Sequence, residues 1–352
     1  MEEESQKFLG RLLATAAPSG FESSLQQLWL ERTTPFADIT RKDVHGNAAA
    51  VLNPGEEFKV MLAGHCDEIG LMVMNINDQG MLEVGGVGGF DPAVAPGLFV
   101  DVMTRNGKVN GVIGKRAPHG KDDEDEKKKA EIADLWVDIG AADREEAEKT
   151  VSIGDPIVSC KGPKDLLGDR IASPSVDDRV GVFICSETLR LLQEREIIAG
   201  VWAVSTVQEE IGSRGARTSC FGIAPQVAIA LDVTHASDYP TSEKKYVGDV
   251  KVGSGPVLCR GANVNPKVDE LLREAARRAD VQVQIRPVPK VTMTDANPIQ
   301  MSRAGVATGL IGIPVRYMHS PVETFSLSDV ENAARLLAEF IFSLTGGENF
   351  VP

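Results

Sequence analysis

Apolar and polar positions along the chain follow two rhythms. In residues 5–35, Phe8, Leu9, Leu12 and Leu13 recur at helical spacing, and Leu25, Leu28 and Leu30 form a second apolar face beyond the break at Ala17-Pro-Ser-Gly20, so two short helices are expected. Residues 47–52 and 58–63 read as strands, and the second is nearly all apolar, as in a strand buried on both faces. From 71 to about 161 the pattern becomes short β runs (71–76, 81–84, 98–104, 109–113 and 133–139) broken by glycine and proline, with an amphipathic helix only at about 144–150. That is the pattern of an inserted small β-barrel. Beyond Arg170 the βαβ rhythm returns. Asp177-Asp-Arg-Val-Gly181 opens a helix carrying Val180, Ile184, Leu189 and Leu192, and strands follow at 201–207 and at 227–231, the latter ending at Asp232. A helix at 267–279 precedes a strand at 281–285, and 306–313 is a last core strand leading to His319. Ser328-Asp-Val-Glu331 has the form of a capping box with Leu327 as its staple. The closing helix carries Val330, Ala334, Leu337, Ile341 and Leu344, and Gly346 ends it. The expected fold is α/β: a mixed-sheet α/β/α domain formed by residues 1–70 and 163–352, with 71–162 inserted as a small β-barrel domain.

Composition narrows the function. Length (352 residues), 42% hydrophobic and 25% charged content are those of a globular protein of two domains or one large one. A net charge of −14 argues against nucleic acid or an anionic membrane surface as partner, since both need a basic face. Cys66, Cys160, Cys185, Cys220 and Cys259 are odd in number, contain no CxxC pair and mostly sit in apolar runs, which reads as reduced, buried thiols. The acidic start and Arg11 fit no secretory signal, and no run reaches the length of a membrane span, so a soluble, cytoplasmic protein is expected. Gly85-Gly-Val-Gly-Gly89 lacks the helix start of a phosphate loop and reads as a turn. The charge run 120–129 reads as a solvated loop, and His119 before it as structural or loop-exposed, in reach of a neighbouring subunit.

The candidate chemistry gathers at Thr206-Val-Gln-Glu-Glu-Ile-Gly-Ser-Arg-Gly-Ala216. Adjacent side chains on a strand point to opposite faces, so Glu209 and Glu210 can serve one site only if the backbone has already turned, and Gly212 and Gly215 supply that freedom. One carboxylate could hold a metal and the other move protons; a solvated acidic turn is the plain alternative. His65, Glu209, Glu210, Asp232 and His319 each fall at or beyond the carboxyl end of an apolar strand, where ligand sites form in open α/β sheets. Asp177 sits instead at a helix entrance. Singly, Asp177 and Asp178 could be a helix cap, Asp232 a turn residue and His319 a packed core histidine. Together they supply two imidazoles and three carboxylates with a glutamate to spare, a ligand set for two ions sharing a bridging carboxylate, and the imidazoles favour zinc or cobalt over magnesium or calcium. Asp67 is placed to accept the other ring N–H of His65, whereas His45 and His235 read as structural or exposed.

These residues resemble a known family. Gly64-His-Cys-Asp-Glu-Ile-Gly70, Asp177-Asp-Arg-Val-Gly181, Val207-Gln-Glu-Glu-Ile-Gly212, Asp232, Thr294-Asp-Ala296 and Arg316-Tyr-Met-His-Ser-Pro-Val-Glu323 span nearly the whole chain. They are similar in type and order to the motifs of the tetrahedral (TET-type) aminopeptidases. These are di-metal metallopeptidases of clan MH, also called glutamyl or deblocking aminopeptidases, some of which carry the label endoglucanase M. The resemblance implies that His65 and Asp232 hold one Zn2+ or Co2+ ion, Glu210 and His319 a second, and that Asp177 bridges them, with a cis bond to Asp178. Glu209 would be the general base and acid of peptide hydrolysis, taking a proton from the attacking water and passing one to the leaving amine. The substrate would be a short peptide held by its free N-terminal amine, and the assembly a homo-oligomer, up to a dodecamer, with the barrel at subunit contacts. Cys66 and Met293 depart from the family's usual methionine and glycine. A deacylase on the same metal site is the nearest rival. A glycoside hydrolase, which usually needs two opposed carboxylates and no metal, and a non-catalytic binding protein on the same fold are more distant ones.

Overall fold

The computed structural model describes residues 1–116, 130–160, 162–193 and 195–352; His119 and the charge run 120–129 lie outside them. Two helices, α1 (Glu3–Ala14) and α2 (Ser23–Thr33), and the strands β1 (Ile39–Lys42), β2 (Ala48–Leu52) and β3 (Lys59–His65) open the fold. The next strands are β4 (Gly70–Ile76), β5 (Leu82–Val87), β6 (Phe99–Thr104), β7 (Gly107–Lys115) and β8 (Leu135–Asp138), then a short helix α3 (Arg144–Glu148) and β9 (Pro156–Ser159). They close a barrel in the order β4-β5-β8-β7-β6-β9 around Leu71, Val73, Leu82, Val102, Ile113 and Val137. Beyond it come β10 (Lys164–Asp165), β11 (Arg170–Ser173), the central helix α4 (Val176–Leu192), β12 (Gly200–Thr206), α5 (Arg214–Ile223), β13 (Val227–His235) and α6 (Lys244–Val247). The last elements are β14 (Val257–Gly261), α7 (Pro266–Arg278), β15 (Gln284–Val288), α8 (Ala296–Gln300), β16 (Ala307–Val315), β17 (Glu323–Ser326) and α9 (Leu327–Phe342).

An eight-stranded mixed sheet runs β1-β2-β12-β3-β13-β16-β14-β15, with β12, β3, β13 and β16 mutually parallel at its centre. Strand alternation divides its side chains between two cores. On β3, Val60 and Leu62 join Leu12, Trp29, Phe183 and Leu337 on one face; Met61 and Ala63 join Ala216, Cys220 and Ile299 on the other. Helices therefore cover both faces, in the expected α/β/α layering. α4 departs from an amphipathic pattern, being buried from Val176 through Leu189 between the sheet and the outer helices. Its buried Ser186 and Thr188 satisfy their hydroxyls on the carbonyls of Phe183 and Ile184 within the helix.

Several boundaries differ from the sequence-based expectation. β13 runs on through Asp232 to His235, and β15 starts at Gln284 rather than at Val281. The expected capping box at Ser328 is not formed. α9 begins at Leu327, the hydroxyls of Ser326 and Ser328 both donate to Asp169, and the Asp329 carboxylate accepts from the Gly253 and Gly255 amides. A tertiary partner has taken the capping side chains. The helix ends at Phe342, ahead of Gly346. Gly85 and Gly86 pair within β5 instead of forming a turn. Four cysteines are buried, Cys160 is exposed, and none of the five is in a disulfide. No helix among the described residues is long and apolar enough to cross a membrane.

Candidate metal centre

The site is assembled where the central strands meet the start of α4. His65 is the last residue of β3 and pairs in register with Thr206 of β12, while Ala63 pairs with Ala230 of β13, so Asp232 stands level with His65 two residues further on. The chain approaches itself closely here. A methyl group on Gly64 would lie 2.6 Å from the Gly181 carbonyl carbon, and one on Gly181 would lie 2.1 Å from Asp178 Oδ2. Only two glycines permit this crossing of strand end and helix. Asp178 ties the two together by accepting from the His65 amide (3.2 Å) and the Gly181 amide (3.0 Å). The Asp177–Asp178 bond is cis.

Asp177 faces a different imidazole with each oxygen. Its Oδ1 is 3.0 Å from His65 Nε2, its Oδ2 is 3.4 Å from His319 Nε2, and that same His319 nitrogen is 3.8 Å from Glu210 Oε2. One ligand atom each of His65, Asp177 and Glu210 lies within 4.8 Å of the others. Asp232 lines the same cavity of about 770 Å3, as do Glu209 and His319. Its Oδ1 accepts from the Val233 amide (2.7 Å). The seven residues singled out from the sequence thus converge, Asp67 from beneath.

Asp67 sits differently from expectation. The nearest acceptor to His65 Nδ1 is the Asp67 carbonyl at 3.2 Å, with the carboxylate at 3.5 Å. That carboxylate instead accepts from the amides of Glu209 (2.9 Å) and Glu210 (3.1 Å) and from the Ser19 hydroxyl (2.5 Å). Asp67 therefore holds the turn on which both glutamates stand. The turn leaves β12 as the sequence requires. Gln208 and Ser213 are left-handed, Gly212 has φ +118°, and Gly215 is needed for contact, since a methyl there would lie 2.4 Å from the Val207 backbone. Ser213 Oγ donates to Glu209 Oε1 (2.7 Å). Met293 and His319, which line the cavity, are also left-handed, as are Ser175 just before α4 and Tyr317 on the loop that carries His319.

Two supporting carboxylates had no role assigned from the sequence. Glu323 accepts from the amides of Asp177 (3.0 Å) and His319 (2.8 Å), binding the loop that carries the second histidine to the α4 entrance. Asp295 accepts from Thr206 Oγ1 (2.6 Å) below the Glu209 turn. Both stood inside recognisable motifs, but nothing local marked what they touch. His235, read as structural or exposed, lines the cavity at the end of β13.

The electrostatics show a surplus of negative charge. Burial and the Asp177 charge push Glu210 up to about 8, and burial and Asp177 raise Asp232 well above the carboxylate range. Burial raises Glu209 too. His319 is raised to about 9, mainly by its hydrogen bond to Asp177, and although burial opposes a charge on His65, Asp177 and Asp67 raise it as well. Nitrogen and oxygen donors converging on one carboxylate in this way fit a pair of divalent cations, whose charge would offset that of the carboxylates.

Residues 46–336 match the family described as M42 glutamyl aminopeptidase, and the chain belongs to that family. A lysyl aminopeptidase of Pyrococcus furiosus is 37% identical over 333 residues, covering 94% of each chain. The structure of a TET aminopeptidase from Thaumarchaeota archaeon SCGC AB-539-E09 superposes with a TM-score of 0.93 at 34% identity, covering 97% of this chain and 98% of that one. The TET1 peptidase of Pyrococcus horikoshii, which can assemble into a tetrahedron or a large octahedral shell, has a TM-score of 0.86 at 31% identity, covering 97% and 100%. The chain is an aminopeptidase, a peptide hydrolase.

Proposed function

We propose that this enzyme is a two-metal exopeptidase that removes N-terminal residues from short peptides in the cytoplasm. The observation that carries this reading is Asp177, which presents one oxygen to His65 and the other to His319. His65 and Asp232 would hold one ion, Glu210 and His319 the other, and Asp177 would be shared. Zinc or cobalt suits this mixture of imidazole and carboxylate. When bound, the ions supply Lewis acidity that polarises the scissile carbonyl and eases deprotonation of water.

Glu209 is the group free to move protons. It lies in the cavity beside the ligands, its carboxylate is oriented by Ser213, and its backbone is fixed by Asp67. It would accept a proton from the attacking water and deliver one to the departing amine. Burial raises its affinity for a proton, which suits a group that must carry one between two steps. The peptide's free amine would be held beside the ions, so cleavage falls at the chain end. Residues 1–70 and 163–352 form the catalytic domain in this reading, and 71–162 the inserted barrel domain that mediates homo-oligomer contacts.

The cavity also discriminates among side chains. Arg286 reaches it from β15 and donates to Thr234 Oγ1, and no carboxylate among the described residues pairs with it. Arg217 and His235 add further basic groups, while among the described residues the only acidic groups lining the cavity are Asp177, Glu209, Glu210 and Asp232. An acidic N-terminal residue is favoured over a basic one. That matches the family's description and not the lysyl preference named for the P. furiosus relative.

Hydrolysis of aminoacyl-p-nitroanilides before and after chelation tests the reading. Activity should vanish with the metal and return with Zn2+ or Co2+, and N-acetylated anilides should resist. Release of acyl groups from blocked amino acids with no cleavage of free-amine substrates would establish the deacylase instead. A faster rate on lysyl than on glutamyl anilide would overturn the side-chain preference.

A further inference from the structure

The two histidines of the centre are oriented by different means. His65 has its Nδ1 against the carbonyl and carboxylate of Asp67, on the hydrogen-bonded floor of the sheet. His319 has no such partner. Its Nε2 faces Asp177 and Glu210, and no described residue accepts a hydrogen bond from its Nδ1. What stands behind that nitrogen is the barrel. A methyl group on Gly89 would lie 2.9 Å from His319 Nδ1 and 3.1 Å from Cε1. The preceding residue, Gly88, has φ +71°, and a methyl there would lie 3.1 Å from Glu210 Cβ. Beneath this corner Phe90 packs against the barrel core and lines a small cavity shared with Glu210 and His319. At Gly88 and Gly89 the barrel thus presses bare backbone onto Ile69, Glu210 and His319, and the last two belong to the same proposed ion.

We propose that the Gly88–Gly89 corner positions Glu210 and His319 and so sets the affinity of one ion position independently of the other. This rests on the two-metal reading above. His65 and Asp232 hold their ion on the rigid sheet, with Asp67 in the supporting role usual for a ligating histidine. Glu210 and His319 hold theirs against a wall that belongs to the barrel, so any change that shifts the barrel's corner reaches this position first.

The test is metal binding by the full-length enzyme after chelator stripping, followed by calorimetry with Zn2+ and by the visible spectrum with Co2+. Wild type should bind two ions. Gly89→Ala adds one methyl where φ is unexceptional and should weaken one ion by about tenfold to a hundredfold, the range for losing a ligand's supporting contact, while leaving the other unchanged. Phe90→Ala loosens the corner without adding an atom and should weaken the same ion. Asp232→Asn removes a proposed ligand of the opposite ion only and should weaken that one, giving a distinct residual Co2+ spectrum. Two ions bound with wild-type affinity in both barrel variants would overturn the proposal, as would an equal loss of both ions in Phe90→Ala. Fewer than two ions in the wild type would instead count against the two-metal reading itself.

Discussion

The eight-stranded sheet and the barrel rest on the same strand alternation, yet they contribute to the site in opposite ways. All seven residues of β12 are buried, and β3 is buried from Val60 to His65, because helices cover both faces. Barrel strands such as β5 alternate between buried and open positions, with one face on a small core and the other free. Polar groups are costly inside the sheet, so they collect where its strands end, and those ends carry the proposed ligands. Among the described residues the barrel supplies no proposed ligand. It offers main chain at Gly88 and Gly89, and its value lies in the side chains that are missing. The difference shows that a site can be chemically complete on one element and still depend on another for its shape.

The comparison can be broken most decisively at its shared point. Asp177→Ala should remove both ions and abolish peptide hydrolysis, and an unchanged metal content by elemental analysis would sink the bridging role. Glu209→Gln leaves every proposed ligand in place, so metal content should be kept while kcat falls by about 10²–10⁴, the usual worth of a positioned proton carrier. A near wild-type kcat would remove Glu209 from the mechanism. Asp67→Asn keeps size but not charge beneath His65 and the glutamate turn, and an activity loss of about tenfold to a hundredfold is expected. Addition of excess metal should recover part of that loss and leave the part due to a misplaced Glu209.

On the barrel side the effects are smaller and of another kind. Phe99 is 69% exposed on the barrel, where the proposed homo-oligomer contacts fall. Phe99→Glu should reduce the assembly's mass in sedimentation while single subunits stay folded, and an unchanged mass would take Phe99 out of the contact. Off the barrel, on the cavity wall, Met293→Gly should do least to stability. A left-handed methionine costs about 1 kcal/mol, but glycine gains roughly 0.4–1 kcal/mol of unfolded-state entropy, so the two nearly cancel in a denaturant titration. Its visible effect should be in KM for bulky substrates, since Met293 lines the cavity.

Much of this was legible along the chain. Helix and strand rhythms gave the layering and the barrel, because burial on one face or two leaves a periodic trace. The polar residues at strand ends were conspicuous because their neighbours are apolar, and Gly212 and Gly215 announced the turn at Glu209. What escaped depended on contacts without a local trace. β1 is exposed at all four positions and carries no alternation to read. The capping box at Ser328 failed because Asp169, 159 residues away, competes for its hydroxyl. The extension of β13 past Asp232 to the exposed His235 comes from pairing with β16 rather than from local pattern.

The sequence by itself determined which chemistry was available: two imidazoles, their carboxylates and a spare glutamate, each at the end of a strand or the start of a helix, with glycines where the chain must bend. Those are properties of residue type and spacing, and both are local. Only the tertiary structure decided which groups work together. Gly64 and Gly181 had to meet before Asp177 could stand beside His65. Asp67 turned its carboxylate to amides 142 and 143 residues away. Glu323 secured His319 and Asp177 together, and a barrel corner read as a plain turn became the wall behind His319. Hydrogen bonds and contact distances act over a few ångströms in space, and a one-dimensional pattern holds no record of which distant residues will share them.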